Sequence, residues 1–119
     1  MATRSGRPPY VPERGDLVWL TFDPQAGHEQ AGRRPAVVLS PRFYNTKAGL
    51  ALFAPITHQV KGYPFEVALL ANVGANGVVL ADQIKSLDWR ARDARRIGEL
   101  PATIIATILA RSALLLAAG

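Results

Sequence analysis

The sequence predicts a mainly β fold closed by a single helix: a small, strongly bent antiparallel barrel. Three observations lead there. Short runs rich in β-branched and aromatic residues follow one another from Leu17 to Leu100, bounded by Pro, Gly or Asn, as strands joined by tight turns are. The run 35–40 (PAVVLS) is too uniformly apolar for a strand with one wet face. From Ala102 onward the chain is apolar except at Thr103, Thr107 and Arg111, which recur every fourth residue as one stripe of a helix. Many short strands with one terminal helix pack most simply around one core.

Taken in order, residues 1–9 read as a loose basic tail and residues 10–119 as the single domain. The first strand is 17–22 (LVWLTF), stopped by Asp23-Pro24, and the second is 35–40, ended by Pro41. A turn-rich piece holding Asn45 and Gly49 leads to a third strand, 50–57 (LALFAPIT). The polar loop 58–64 (HQVKGYP) follows, and 65–69 (FEVAL) alternates as a strand with one wet face should. Asn76-Gly77 introduces 78–81 (VVLA), residues 84–89 continue the sheet, and 95–100 (RRIGEL) make a short last strand. Pro101 stands where a helix accepts proline as its first residue. Ile104, Ile105, Ile108 and Leu109 then face inward, which suits a helix packed on a core better than a membrane span.

At 119 residues the chain is long enough to bury roughly two thirds of its unfolded surface. Lys and Arg number 14 against 9 Asp and Glu, a formal charge of +5, and arginine favours planar acceptors such as phosphate. That balance suits a nucleic-acid binder and equally a well-solvated surface. With no cysteine, disulfides, thiolate metal sites and a cysteine nucleophile are excluded, and two histidines make a protein-only zinc site improbable. No apolar run follows the basic N-terminal residues, so no signal peptide is read and a cytoplasmic location is expected.

The stretch 27–35 (GHEQAGRRP) gathers a histidine, an acid and two arginines on a glycine-bounded loop at the mouth of the apolar second strand. Arg33 and Arg34 read alone as rim charges or as phosphate ligands. Thr57, at the end of the third strand, fits a turn cap as well as a neutral hydroxyl donor. Glu29 can accept a proton or pair with Arg33 or Arg34, and pairing lowers its basicity. His28 and His58 have the chemistry for acid–base work near neutrality, although His58 follows Thr57 directly and neighbours in a strand face opposite ways. Gln30, Gln59 and Gln83 carry amides that can read base edges, Lys61 can track a phosphate, and Phe22 fits the core or a stacked base. Trp19 and Trp89 fit core or interface, and Arg90, Arg92, Arg95 and Arg96 form a basic cluster beside Trp89.

Three blocks, GDLVWLTFDPQAGHEQAGRRPAVVLSP, ITHQVKGYPFEV and LADQIKSLDWRAR, resemble in their order the MazF/PemK family of toxin–antitoxin ribonucleases. The resemblance runs from about Tyr10 to the closing helix. It implies an SH3-like barrel of the CcdB/PemK type acting as a homodimer. It also implies cofactor-free and metal-independent cleavage of single-stranded RNA, often at ACA. The 2′-hydroxyl attacks, leaving a 2′,3′-cyclic phosphate and a 5′-hydroxyl, and an acidic cognate antitoxin blocks the toxin. On this pattern the loop arginine falls on Arg34 and the essential threonine on Thr57, with Glu29 a further catalytic candidate. Phe22, Gln30, Gln59, Lys61 and Gln83 are expected to hold RNA, with His28, His58 and Arg33 accessory. The family pattern has a second threonine where His58 stands. Two other readings share the barrel: a CcdB-like gyrase poison, which the non-aromatic C-terminus disfavours, and a non-catalytic RNA-binding module.

Overall fold

The computed structural model describes residues 9–22, 32–70 and 73–117. Among these, the elements in chain order are β1 (Asp16–Thr21), β2 (Arg33–Val38), α1 (Arg42–Ala48), β3 (Ala51–Thr57), β4 (Glu66–Ala68), β5 (Val78–Leu80), β6 (Lys85–Leu87), β7 (Arg95–Glu99) and α2 (Ala102–Ala117). The strands join antiparallel in the order β4-β5-β3-β2-β1-β7, and β6 pairs with β3 beyond the end of β5. The mainly β class with a C-terminal helix is therefore as the sequence predicts.

The sheet is dry on both sides, which accounts for the uniformly apolar second strand. Leu17, Val37, Ala54, Ile56, Val67 and Val79 point to one side, where Ile104, Ile105 and Ile108 of α2 cover them. Val18, Leu20, Ala36, Val38 and Phe53 point to the other and pack with Trp89. Burying each isoleucine of α2 contributes roughly 1.5–3 kcal/mol, enough to fix the helix against the strands. Arg111, on the polar stripe, donates from Nη1 to the carbonyls of Pro64 (3.0 Å) and Glu66 (2.8 Å), tying α2 to the start of β4. The helix has no span long and apolar enough to cross a membrane, and neither does any other helix of the described residues.

Several boundaries differ from expectation. β2 begins at Arg33 and ends at Val38, because Arg33 and Arg34 pair with Thr21 and Leu20 of β1. β6 is shorter than 84–89, since the chain turns after Asp88 and sends Trp89 into the core, its Nε1 donating to Asn45 O at 3.0 Å. Pro101 stands one residue ahead of α2, its carbonyl accepting from the amides of Ile104 and Ile105.

The turn-rich piece is a helix, α1. Pro41 starts it with an extended backbone, and Gly49, at φ 71°, ends it in the left-handed conformation that glycine adopts without strain. Its centre is Asn45, fully buried. The Asn45 amide donates to the carbonyls of Pro12 (2.9 Å) and Ser40 (3.0 Å), and its oxygen accepts from Ser40 Oγ (2.6 Å). One side chain thus ties the N-terminal segment, the exit of β2 and α1. Nearby, Tyr10 donates to Asp16 at 2.5 Å, and burial followed by this hydrogen bond holds its hydroxyl pKa well above the ordinary tyrosine value. Replacement Asn45→Ala orphans buried carbonyls and should destabilise the fold by about 2–3 kcal/mol, read as a lower urea midpoint with an unchanged slope.

Candidate functional site

The ladder between β2 and β3 sets Ala36 opposite Pro55, Val37 opposite Ala54 and Val38 opposite Phe53. The ladder ends at Ala36 and Pro55, and Arg34 and Thr57 stand two residues beyond them on their strands. Alternation places both on the face turned away from α2, the face on which Leu20, partnered with Arg34, is buried. Thr57 pairs in turn with Val78, and Leu80 with Glu66, so this outer face runs on across β5 and β4.

There a pocket of about 170 Å³ opens, bordered by Thr57, Gln59, Lys61, Tyr63, Asp82 and Gln83, with Phe65 and Leu80 behind. Four residues singled out in the sequence thus meet in one hollow: Thr57, Gln59, Lys61 and Gln83. The Thr57 hydroxyl oxygen accepts from the Gln59 backbone N–H at 3.1 Å. That bond occupies a lone pair and leaves the hydroxyl proton to be donated elsewhere. The loop that forms the pocket rim is held by the Glu66 carboxylate, which accepts from the amides of Lys61 and Gly62 at 2.9–3.2 Å.

The remaining candidates divide. Arg33 lies on the other side of the strand from Arg34 and is drawn onto the barrel. It donates to Thr21 Oγ1 (3.1 Å) and to the carbonyls of Trp19 (3.3 Å), Arg92 (3.3 Å) and Asp93 (2.6 Å), and pairs with the Asp93 carboxylate at 3.5 Å. Arg34 is exposed, and among the described residues its guanidinium has no hydrogen-bond or ion-pair partner. His58 is exposed just past β3. Phe22 is half-buried against the second core cluster. His28, Glu29 and Gln30 lie outside the described residues.

The basic cluster near Trp89 is not one surface. Arg90 stacks over the Trp89 ring at 4.9 Å, Arg92 donates to the carbonyls of Thr21 and Phe22, Arg95 pairs with Asp93, and Arg96 pairs with Asp16 and Glu99. The Asp16 and Glu99 carboxylates hold the Arg96 pKa above its ordinary value, the hydrogen bond that Arg96 donates to Asp16 being the largest cause. Trp89 belongs to the core, whereas Trp19 is 43% exposed.

Residues 13–116 match the family described as PemK-like, MazF-like toxin of type II toxin-antitoxin system. The chain belongs to this family. It is 60% identical to the endoribonuclease toxin MazF of Escherichia coli K12 over 75% of this chain and 79% of that one. It is 46% identical to the endoribonuclease toxin ChpB of the same organism, over 72% and 78% of the two chains. Among solved structures, MazF of Deinococcus radiodurans (Form-I) superposes with a TM-score of 0.83 at 56% identity, covering 91% of this chain and 98% of that one. A MazE–MazF structure from that organism (Form-II) gives 0.86 at 54% identity, covering 93% and 100%.

In this PemK/MazF-like chain the fold adds three residues to those the sequence suggested. Tyr63 and Asp82 border the pocket; a basic residue and an aromatic two apart (Lys61, Tyr63) were the available signal for the first. The third is Gly77. It has φ 108°, and a Cβ there would fall 2.1 Å from the Thr57 carbonyl oxygen and 3.1 Å from His58 Cα. No side chain fits, so the β4–β5 turn lies directly against the backbone that carries Thr57. Gly77→Ala should cost about 2 kcal/mol through backbone strain and displacement at Thr57. Denaturant unfolding measures it, and an unshifted midpoint would show that the turn relaxes freely.

Proposed function

We propose that this protein is a metal-independent endoribonuclease toxin that cuts single-stranded RNA, with Arg34 and Thr57 acting on the scissile phosphate. The observation that supports the reading is the β2–β3 register, which ends at Ala36 and Pro55 with Arg34 and Thr57 two residues beyond on the same face, Thr57 bordering the pocket that holds Gln59, Lys61 and Gln83. RNA brings its own nucleophile, the 2′-hydroxyl, so the protein has to orient the phosphodiester and offset the charge that builds up on it.

Arg34 supplies a permanent positive charge with planar donors suited to two phosphoryl oxygens. Thr57, its oxygen already engaged by the Gln59 backbone N–H, offers its proton to a phosphoryl oxygen without adding charge. Attack gives a 2′,3′-cyclic phosphate and releases a 5′-hydroxyl. Glu29 accepts or positions the nucleophile's proton, with His28 and His58 accessory to proton movement and Arg33 positioning the strand. Gln30, Gln59, Gln83 and Lys61 hold flanking nucleotides, and Phe22, half-buried against the Leu20 cluster, stacks a base. E. coli relatives named as endoribonucleases support this reading.

Purified protein with a long unstructured RNA and EDTA should yield discrete cuts ending in cyclic phosphate. Arg34→Ala should abolish them while keeping the fold, and Thr57→Ala should slow them on the order of a hundredfold. Normal cutting by Arg34→Ala would overturn the assignment. Intact RNA together with inhibited supercoiling would favour the gyrase reading, and salt-sensitive binding without cuts the non-catalytic one.

A homodimer and an acidic antitoxin complete the proposal. The apolar groove of about 550 Å³ between α1 and α2, where Phe43, Tyr44, Leu52 and Leu116 are exposed, supports self-association. Relatives solved as MazE–MazF, and the +5 charge of this chain, support the antitoxin. Light scattering should give twice the 12.8 kDa of the chain, falling to the monomer in Leu116→Glu.

A further inference from the structure

The end of β2 that carries Arg34 is supported from one side only. Ala36 and Val37 pair with both β1 and β3, whereas residues 33–35, among the described residues, pair with β1 alone. Pro35 has no amide proton to add to that ladder. A catalytic side chain displaced by about 1 Å can lose on the order of a hundredfold in rate. So open a strand end needs a further tether.

Arg33 supplies it. Its side chain lies on the other side of the strand from Arg34 and reaches over β1 to the turn 89–93 that leads into β7. There it donates to the carbonyls of Arg92 (3.3 Å) and Asp93 (2.6 Å), as well as to Thr21 Oγ1 and the Trp19 carbonyl. The turn is firmly seated. Asp88 Oδ1 accepts from the amides of Arg90 and Ala91, the Ala94 amide donates to the Trp89 carbonyl, and Trp89 itself is buried in the core.

Within the turn, Asp93 grips Arg33 twice, by its carbonyl at 2.6 Å and by its carboxylate at 3.5 Å. Asp93 is also the one non-glycine among the described residues with a left-handed backbone, at φ 52°. Glycine adopts that conformation freely, whereas a residue with a side chain does so under strain. The carboxylate pairs with Arg33 and Arg95, but the Asp93 side chain is 59% exposed, and such pairs contribute little to stability. Stability alone therefore gives no reason for an aspartate here. Position does, because the side chain keeps the Arg33 guanidinium on the turn, one residue along the backbone from Arg34.

We propose that Asp93 is a positioning residue for Arg34, acting through Arg33 as a latch between the turn 89–93 and the end of β2. The proposal deepens the ribonuclease reading and rests on Arg34 being the group that meets the phosphate. Two readouts keep the two apart: turnover of a short RNA in EDTA, and NMR order parameters of backbone N–H groups, which need no RNA. In wild type the Arg34 N–H should be as ordered as that of Val37, at about 0.85. Arg33→Lys keeps the charge but cannot span the same acceptors, and should bring the Arg34 value below about 0.6 with Val37 unchanged. Its turnover at saturating RNA should fall about tenfold, with KM within about twofold of wild type. Asp93→Gly should move order and turnover the same way, turnover by about threefold, without lowering the urea midpoint, because strain is relieved. In the Arg33→Lys background Asp93→Gly should have no further effect on turnover, since the two side chains act as one unit.

A fully ordered Arg34 in Arg33→Lys, wild-type turnover in Asp93→Gly, a lowered midpoint accompanying its slower turnover, or a loss that adds to that of Arg33→Lys overturns the proposal. A loosened Arg34 in variants of a protein that makes no cuts removes the ribonuclease reading and leaves the latch standing. Normal cuts with an unchanged Arg34 do the reverse.

Discussion

The register of β2 against β3 is the constraint on which the rest of the molecule depends. Val37 and Ala54 go to the α2 side, Val38 and Phe53 to the Trp89 side, and the same alternation puts Arg34 and Thr57, two residues past the last pair, on the Trp89 side. Slipping either strand by one residue exchanges its sides. Phe53 would then be driven toward α2, or Arg34 moved to the side where Arg33 is already bonded to Thr21, Asp93 and backbone carbonyls. The site is thus an extension of core packing. Placing it at the strand ends, where the ladder leaves the core, gives the two side chains a rigid base and an open outlook.

The arginines illustrate how charge is divided in a basic protein. Arg33 and Arg92 close the seams between β1, β7 and the segments beside them mostly by donating to backbone carbonyls, and Arg96 does so by donating to the Asp16 and Glu99 carboxylates. Exposed ion pairs contribute little to stability, but satisfying half-buried carbonyls does. Arg111 acts in the same way at β4. Net charge therefore says less about ligand binding than it suggests, because several cations are occupied with the protein's own backbone.

How much of this was legible in the sequence follows from the range of each interaction. The β2 run, the alternation of β4 and the four-residue stripe of α2 are local patterns, and each is found where its period indicates. Helix α1 was not legible. Its sequence RFYNTKA has no side-chain cap, and its central Asn45 looks like a turn residue until its partners Pro12 and Ser40 are known. Arg34, Thr57, Gln59, Lys61 and Gln83 were singled out by residue type and resemblance, whereas their spatial relation needed the ladder. Asp82 and Gly77 escaped for the same reason. Gly77 matters through the Thr57 carbonyl it abuts and Asp82 through the pocket it borders, and both relations are set between distant segments.

The bonds from Arg111 to Pro64 and Glu66 carry one more implication. Glu66 in turn grips the amides of Lys61 and Gly62, so the loop bordering the Thr57 pocket hangs from the last helix through two successive anchors. The wall of the pocket is thus held by β4, which carries Glu66, and β4 in turn by the last helix. Whatever leans on that helix from outside therefore has a mechanical lever on the loop.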